Sequence, residues 1–212
     1  MPLSRWSKRF AESTRGRLVA RLRAQPCTVE DLAGALGVTD NAVRAHLVSL
    51  ERDGLIEHQP VRRGSAGKPA HTYALTTEAE MLLSAAYAPV LAGLLDVVAE
   101  RSDPAERKRL LRAAGRGLPL VRAKGATPRR RLGAAVELIN DLGGVASVER
   151  HDGSAVIHSR GCPLSAVVRE HPEACEALAS AVEELVGART EVRCERGDGR
   201  PRCAFEVALP PA

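Results

Sequence analysis

The residues with the most chemistry to offer are five cysteines, and they are unevenly placed. Cys27 stands alone, whereas Cys162, Cys175, Cys194 and Cys203 crowd toward the end of the 212-residue chain. Thiolates hold zinc and iron-sulfur clusters and form reversible disulfides, and in a reducing compartment such a group points to metal or redox chemistry rather than a structural staple. Two of the four can be placed by strand arithmetic. Strand-like runs Thr190 to Glu195 and Arg202 to Leu209 flank Gly197-Asp198-Gly199-Arg200. A turn about Asp198 and Gly199 sets Cys194 opposite Cys203, with Cβ atoms about 5 Å apart. By alternation Cys194 shares a face with Val192 and Cys203 with Phe205 and Val207, so both thiols point to the apolar side. Cys162, at a strand-to-helix junction, and Cys175, on the following helix, can converge on the same edge. Cys27, between Pro26 and Thr28, reads as a small buried hydrophobe.

A second set of residues has the character of a nucleic-acid reader. Residues 1–76 carry twelve Lys/Arg against seven acids, and so the whole net charge of +5. Within them Thr28 opens a short amphipathic helix as N-cap, with Asp31 three residues on and Gly37 as the stop. Thr39 then caps a further helix whose buried stripe is Val43, Leu47 and Leu50, ended by Gly54. Its other face holds Asp40, Asn41, Arg44, Ala45 and Ser49, which with the capping Thr39 make a small or hydrogen-bonding set that suits entry into a major groove. Two strand-like runs, Leu55 to Gln59 and His71 to Leu75, flank a basic loop with Arg62, Arg63 and Lys68, the pattern of a wing that lies along the DNA backbone.

These sites need scaffolds. Ser13 to Ala24 has helical apolar spacing and precedes the capped helix. Residues 78–100 form one Ala/Leu-rich helical pattern, with Met81, Leu82, Ala85, Val90, Leu94 and Val97 among its apolar positions. It is too apolar to stand alone in water; a buried core helix is one explanation, and a dimer helix, which paired readers of two half-sites favour, is the other. Residues 104–125 add a helix and a basic linker. From Pro128 a helix runs to Leu142, followed by strands Val145 to Arg150 and Ser154 to His158, a helical region opened by Cys162-Pro163-Leu164, a helix from Pro172 to Val186, and the last hairpin. The fold class is α+β: an N-terminal winged helix-turn-helix (1–77), a helical dimerisation and linker segment (78–126), and a small antiparallel sheet with helices (127–212).

The stretch from Thr28 to Thr76, with its helix-turn-Gly-helix, its Leu47-x-x-Leu50-x-x-x-Gly54-Leu55-Ile56 junction and its Gly67-Lys68-Pro69 wing, resembles the winged helix-turn-helix of ArsR/DeoR-like bacterial regulators. The C-terminal stretches Leu142 to Glu149, Cys162-Pro163-Leu164, His171 to Cys175, Gly187 and Arg202 to Phe205 resemble SufR-like regulators, iron-sulfur-sensing repressors of cluster-assembly operons. The spacing Cys162-x12-Cys175-x27-Cys203 is similar to that family's cysteine pattern. The resemblance implies a DNA-bound homodimer on a double-stranded operator, with Cys162, Cys175 and Cys203 ligating a [4Fe-4S] cluster. The fourth ligand stays open among Cys194, His158, His171 and an exogenous thiol. Zinc is the main rival metal, but structural zinc sites usually bring Cys-x2–4-Cys knuckles, which this chain lacks. A metal-free disulfide switch between Cys194 and Cys203, or a small apolar ligand, are the other sensing modes. No nucleophile-base arrangement and no phosphate loop point to an enzyme. No run approaches the roughly 20 apolar residues that cross a bilayer, and Met1 to Phe10 has no apolar core of a secretory signal, so a cytoplasmic protein without membrane contact is expected.

Overall fold

A computed structural model describes residues 5–61, 70–118, 127–195 and 202–209. They fall into two compact units, Met1–Ala85 and Ala86–Ala212.

The first unit begins with a helix that periodicity did not foretell, α1 (Arg5–Glu12), followed by α2 (Thr14–Ala24), α3 (Val29–Leu36) and α4 (Asp40–Arg52). Each start is set by a side chain that accepts an otherwise orphaned helical N–H: Ser13 from Gly16, Thr28 from Asp31, Thr39 from Ala42. At Thr28 the Asp31 carboxylate also reaches back to the Thr28 N–H at 2.9 Å, completing a capping box. Gly37 leaves α3 with φ +69°, a left-handed conformation that glycine adopts without steric cost, and turns the chain into α4. The apolar faces meet in one core of Leu18, Val19, Leu22, Leu32, Val43, Leu47, Leu50 and Ile56. Strands β1 (Ile56–Val61) and β2 (Ala70–Leu75) pair antiparallel, Ile56 opposite Leu75, to form the wing's base. Cys27 exchanges both backbone hydrogen bonds with Tyr73, at 3.0 and 2.8 Å, and is buried as expected of a small hydrophobe.

The unit does not end at residue 77. Helix α5 (Thr77–Leu82) is capped by Thr76, whose hydroxyl donates to the Gly54 carbonyl at 2.9 Å, and it buries Ala79 while Glu80 pairs with Arg23 at 3.1 Å. The pattern over 78–100 is therefore two helices rather than one. The Leu83 and Ser84 N–H groups bond back to Ala79 and Met81, closing the first, and α6 (Tyr87–Arg101) starts afresh.

The second unit contains α6, α7 (Pro104–Arg116), α8 (Pro128–Asp141), β3 (Ala146–His151), β4 (Ser154–Arg160), a 3-10 turn (Pro172–Ala174), α9 (Cys175–Val186), β5 (Thr190–Glu195) and β6 (Arg202–Ala208). The strands form an antiparallel sheet in the order β3-β4-β6-β5. Its inward residues Ala155, Ile157, Cys203, Phe205 and Val207 pack on Leu132, Ala135 and Ile139 of α8 and on Leu178, Ala179 and Val182 of α9. The fold is α+β, a winged helix-turn-helix followed by a small antiparallel sheet with helices. Helix α7, expected as part of a linker, instead lies against α9. Gly115 makes the approach possible, since a Cβ there would stand 1.9 Å from the Ala177 carbonyl oxygen. Arg112 fastens the pair, reaching Glu176 at 3.0 Å and Glu183 at 2.7 Å.

Candidate nucleic-acid interface and thiol centre

On α4 the buried stripe is Val43, Leu47 and Leu50, as the phasing requires. Opposite it Asp40, Asn41, Arg44 and Ala45 are exposed, and so is the N-cap Thr39, whose hydroxyl accepts from the Ala42 N–H at 3.3 Å. Ser49 departs from expectation. It sits half-buried at the helix flank, accepting from Arg15 Nη1 at 3.4 Å, because α2 packs alongside and Arg15 also holds Asp53 at 2.5 Å. That guanidinium bond keeps the Asp53 carboxyl below its usual range. Two residues of the outward face were not singled out by sequence: Val48, 66% exposed, and Arg52. At 100° per residue both lie beside Asn41 and Ala45, and an apolar side chain there can meet a thymine methyl. The wing residues Arg62, Arg63 and Lys68 lie outside the described residues. At its base His58 bonds Glu51 of α4, and its ring lies edge-on to His71 with centroids 4.9 Å apart.

In the second unit the hairpin register is the expected one: Cys194 faces Cys203. Both side chains lie on the helix-covered side of the sheet, Cys203 buried and Cys194 half-buried. Ser159 is paired with Cys203 on β4, is itself buried, and donates to the Gly161 carbonyl at 3.0 Å, which fixes where β4 exits to Cys162. From Cys162 the expected helical region is a run of successive turns that never becomes a continuous helix. Its N–H groups bond back three or four residues, Ser165 to Cys162 and Val168 to Leu164, without propagating. Cys175 then opens α9.

All five cysteines are free thiols. The Cys203 thiol is pushed up from 9.0 to about 12, first by burial and then by the neighbouring Cys162, Cys194 and Cys175, with a further contribution from its hydrogen bond with Cys194. Cys194 lies opposite Cys203, Cys175 and Cys194 line one cleft, and Cys162 packs against the core that holds Cys203. Four thiols from a strand exit, a helix start and two paired strands thus form one group. Among the described residues no three His, Cys, Asp or Glu side chains are arranged to hold a single metal ion. A four-iron cluster makes a different demand, one thiolate for each iron rather than several on one point. Four neighbouring thiols fit that donor set.

The histidines do not join the group. His158 points to the opposite face of β4, exposed, 3.6 Å from Glu149. His171 is buried, but its ring meets Asp96 at 3.3 Å on α6 and Glu173 at 3.7 Å. Cys194, unlike either histidine, faces Cys203 on the covered side of the sheet. The thiols also have a door. A cleft of about 310 Å³ is bounded by Cys175 and Cys194 together with Lys108, Glu173 and Glu176.

Residues 10–59 match a helix-turn-helix domain. The match covers α2 to α4 and the start of the wing, well under half of the chain. No curated protein matches the chain. Among solved structures, reduced HlyU from Vibrio cholerae is 26% identical over 35% of this chain and 74% of its own, with a TM-score of 0.28. A MepR mutant from S. aureus bound to an oligodeoxyribonucleotide is 20% identical over 48% and 77%, at 0.31. A Lactococcus lactis ZitR mutant in apo form is 16% identical over 50% and 78%, also at 0.31. At these TM-scores the likenesses carry no argument about function. No helix among the described residues is long and apolar enough to cross a membrane.

Proposed function

We propose that the chain is a DNA-binding transcription regulator, not an enzyme, in which the helix-turn-helix unit reads a double-stranded operator and the thiol group of the second unit senses an iron-sulfur cluster. The observation that carries the sensing half is that four cysteines from separate elements gather at one edge of the sheet, with Cys194 opposite Cys203, Cys175 and Cys194 lining one cleft, and Cys162 packed against the same core. On the DNA, Asn41 and Arg44 of α4 supply the hydrogen-bonding groups for base edges, Ala45 and Val48 the apolar contacts, and Arg62, Arg63 and Lys68 the phosphate contacts. The action we assign is repression, with genes of iron-sulfur cluster assembly as targets, in line with the resemblance to SufR-like regulators.

Cys162, Cys175, Cys203 and Cys194 would hold a [4Fe-4S] cluster, which when bound would supply an oxidation-labile inorganic core as the signal. The protein's part is to gather and orient the thiols, which ligate only as thiolates and so release their protons on binding. The apolar layer of Ile157, Phe205 and Leu178 shields them on one side, and the cleft beside Lys108 leaves the other reachable. Pairing of two chains is assigned to α6, whose Tyr87, Val90, Leu91, Leu94 and Val97 form an exposed apolar strip at helical spacing. Two identical strips are self-complementary about a two-fold axis, the symmetry that lets paired readers contact two half-sites.

The test is iron and acid-labile sulfide analysis of protein purified without oxygen. About four irons and four sulfides per chain are expected, lost in the Cys162→Ser, Cys175→Ser and Cys203→Ser variants. Colourless, iron-free wild-type protein overturns the cluster reading. A second reading rests on the register itself. Cys194 and Cys203 are hydrogen-bonded neighbours, and an oxidant such as peroxide can take two electrons and two protons from them to form a disulfide. Under that reading Cys194→Ser abolishes the response of iron-free protein to peroxide.

A further inference from the structure

The stretch between Cys162 and Cys175 contains no helix or strand before Pro172, yet it buries three side chains: Val167, Val168 and His171 are each 5% exposed or less. Its packing partner is α6. Leu95, the buried residue of α6, joins Leu111 of α7, Val167 and Ala174 in a small core of its own, with Ala92 and Leu164 packed against it. Polar contacts follow the same line. His171 Nε2 lies 3.3 Å from Asp96 Oδ1 without the geometry of a hydrogen bond, and His171 Nδ1 lies 3.7 Å from Glu173. Arg107 reaches Glu173 at 3.7 Å while donating to the carbonyls of Ala99 and Ser102 at the end of α6, at 2.8 and 3.2 Å. One face of α6 therefore rests on the segment that two of the four thiols bracket. Its other face carries the exposed apolar strip.

We infer that residues 163–174 are the arm that couples the thiol group to the pairing helix, with Leu95 and Asp96 of α6 and Val167 and His171 of the segment as its positioning residues. The inference rests on the proposed pairing of two chains through α6, but not on what the thiols bind. A segment held by short turns rather than a helical ladder takes its shape from its ends and its packing. Drawing the sulfurs of Cys162 and Cys175 together shifts Val167 and His171, and α6 must follow. Coupling of this kind is reciprocal: if the thiols bias pairing, pairing must bias the thiols.

That reciprocity gives a test without any metal. The reduced, metal-free full chain is pulsed with N-ethylmaleimide at protein concentrations spanning the monomer–dimer transition. Labelling of each cysteine is read by peptide mass mapping, and association by sedimentation. The Cys162 and Cys175 rates should change about fivefold as chains pair, the low end of measured couplings. Cys27, in the other unit, should not respond. Asp96→Asn, a change at an exposed carboxylate, should reduce the concentration dependence, and Leu95→Ala should remove more of it. Leu94→Glu on the exposed strip should hold both rates at their dilute values. If the wild type pairs and both rates stay constant, the coupling is refuted while the pairing reading survives. If it does not pair at any concentration, both fall. An iron-free protein from the earlier experiment leaves this result standing.

Discussion

The Cys203 thiol makes a quantitative prediction about alkaline stability. Its proton is held to about 12 in the fold against 9.0 for an ordinary cysteine, because burial and the three neighbouring sulfurs oppose the thiolate. A group whose folded value is raised contributes stability that is complete below the unfolded value and lost as pH climbs toward the folded one. Between pH 8 and 11 the unfolded chain gives up this proton and the folded chain retains it. With one unit worth about 1.4 kcal/mol, the second unit should lose on the order of 2–3 kcal/mol by pH 11 from this group alone. The comparison that isolates the effect is Cys203→Ala, because other titrating groups are common to both proteins. At pH 8 the variant should be the less stable by about 1–2 kcal/mol, for the buried sulfur it loses. By pH 11 the order should reverse. Calorimetric melting of metal-free protein under reductant at pH 8, 9.5 and 11 measures the difference directly. A gap between wild type and variant that stays constant over this range refutes the argument that the four thiols share one poorly hydrated group.

Other consequences are simpler to test. Gly115→Ala places a methyl group on the Ala177 carbonyl, so α7 must separate from α9; a loss of at least about 2 kcal/mol is expected by urea unfolding, with the first unit unaffected. Glu183 is drawn upward by burial, but the Thr190 N–H at 2.9 Å and Arg112 together hold it below its ordinary value. Its contribution is present above pH 4.5 and lost as pH falls further, so Glu183→Gln should flatten the acid limb of the stability profile. If α4 reads bases, Asn41→Ala and Arg44→Ala should each cost about 1–3 kcal/mol on a cognate operator in a fluorescence titration, while leaving non-specific binding nearly unchanged for Asn41→Ala.

Much of this architecture was legible because its signals are local. Thr28 and Asp31 three residues apart, Gly37 after the last apolar position, and Thr39 before the next determine α3 and α4 through hydrogen bonds that span a single turn. The last hairpin was legible for the same reason: alternation and a Gly-Asp-Gly turn determine that Cys194 faces Cys203. Where several partners competed for a residue, periodicity gave an incomplete answer. The phase of α4 marks Ser49 as outward, but Arg15 arrives from α2 and half covers it. The apolar pattern over 78–100 runs on through Leu83 and Ser84, where the Thr76 cap and the burial of Ala79 assign the first turns to the neighbouring unit.

What the chain's order of residues determined by itself was the set of elements, their caps and turns, the face each presents, and the chemistry that cysteines, Asn41 and Arg44 could perform. Only the tertiary structure decided that α7 belongs with α9, that His158 and His171 turn away from the sulfurs, and that Cys162 and Cys175 come near the hairpin. The reason is the range of the forces. Capping and alternation act within a few residues and leave a mark in the sequence. Burial of Leu95 on Val167 and the approach at Gly115 join segments 60 or more residues apart, and like the gathering of the four thiols they come about only once the chain has closed around its core.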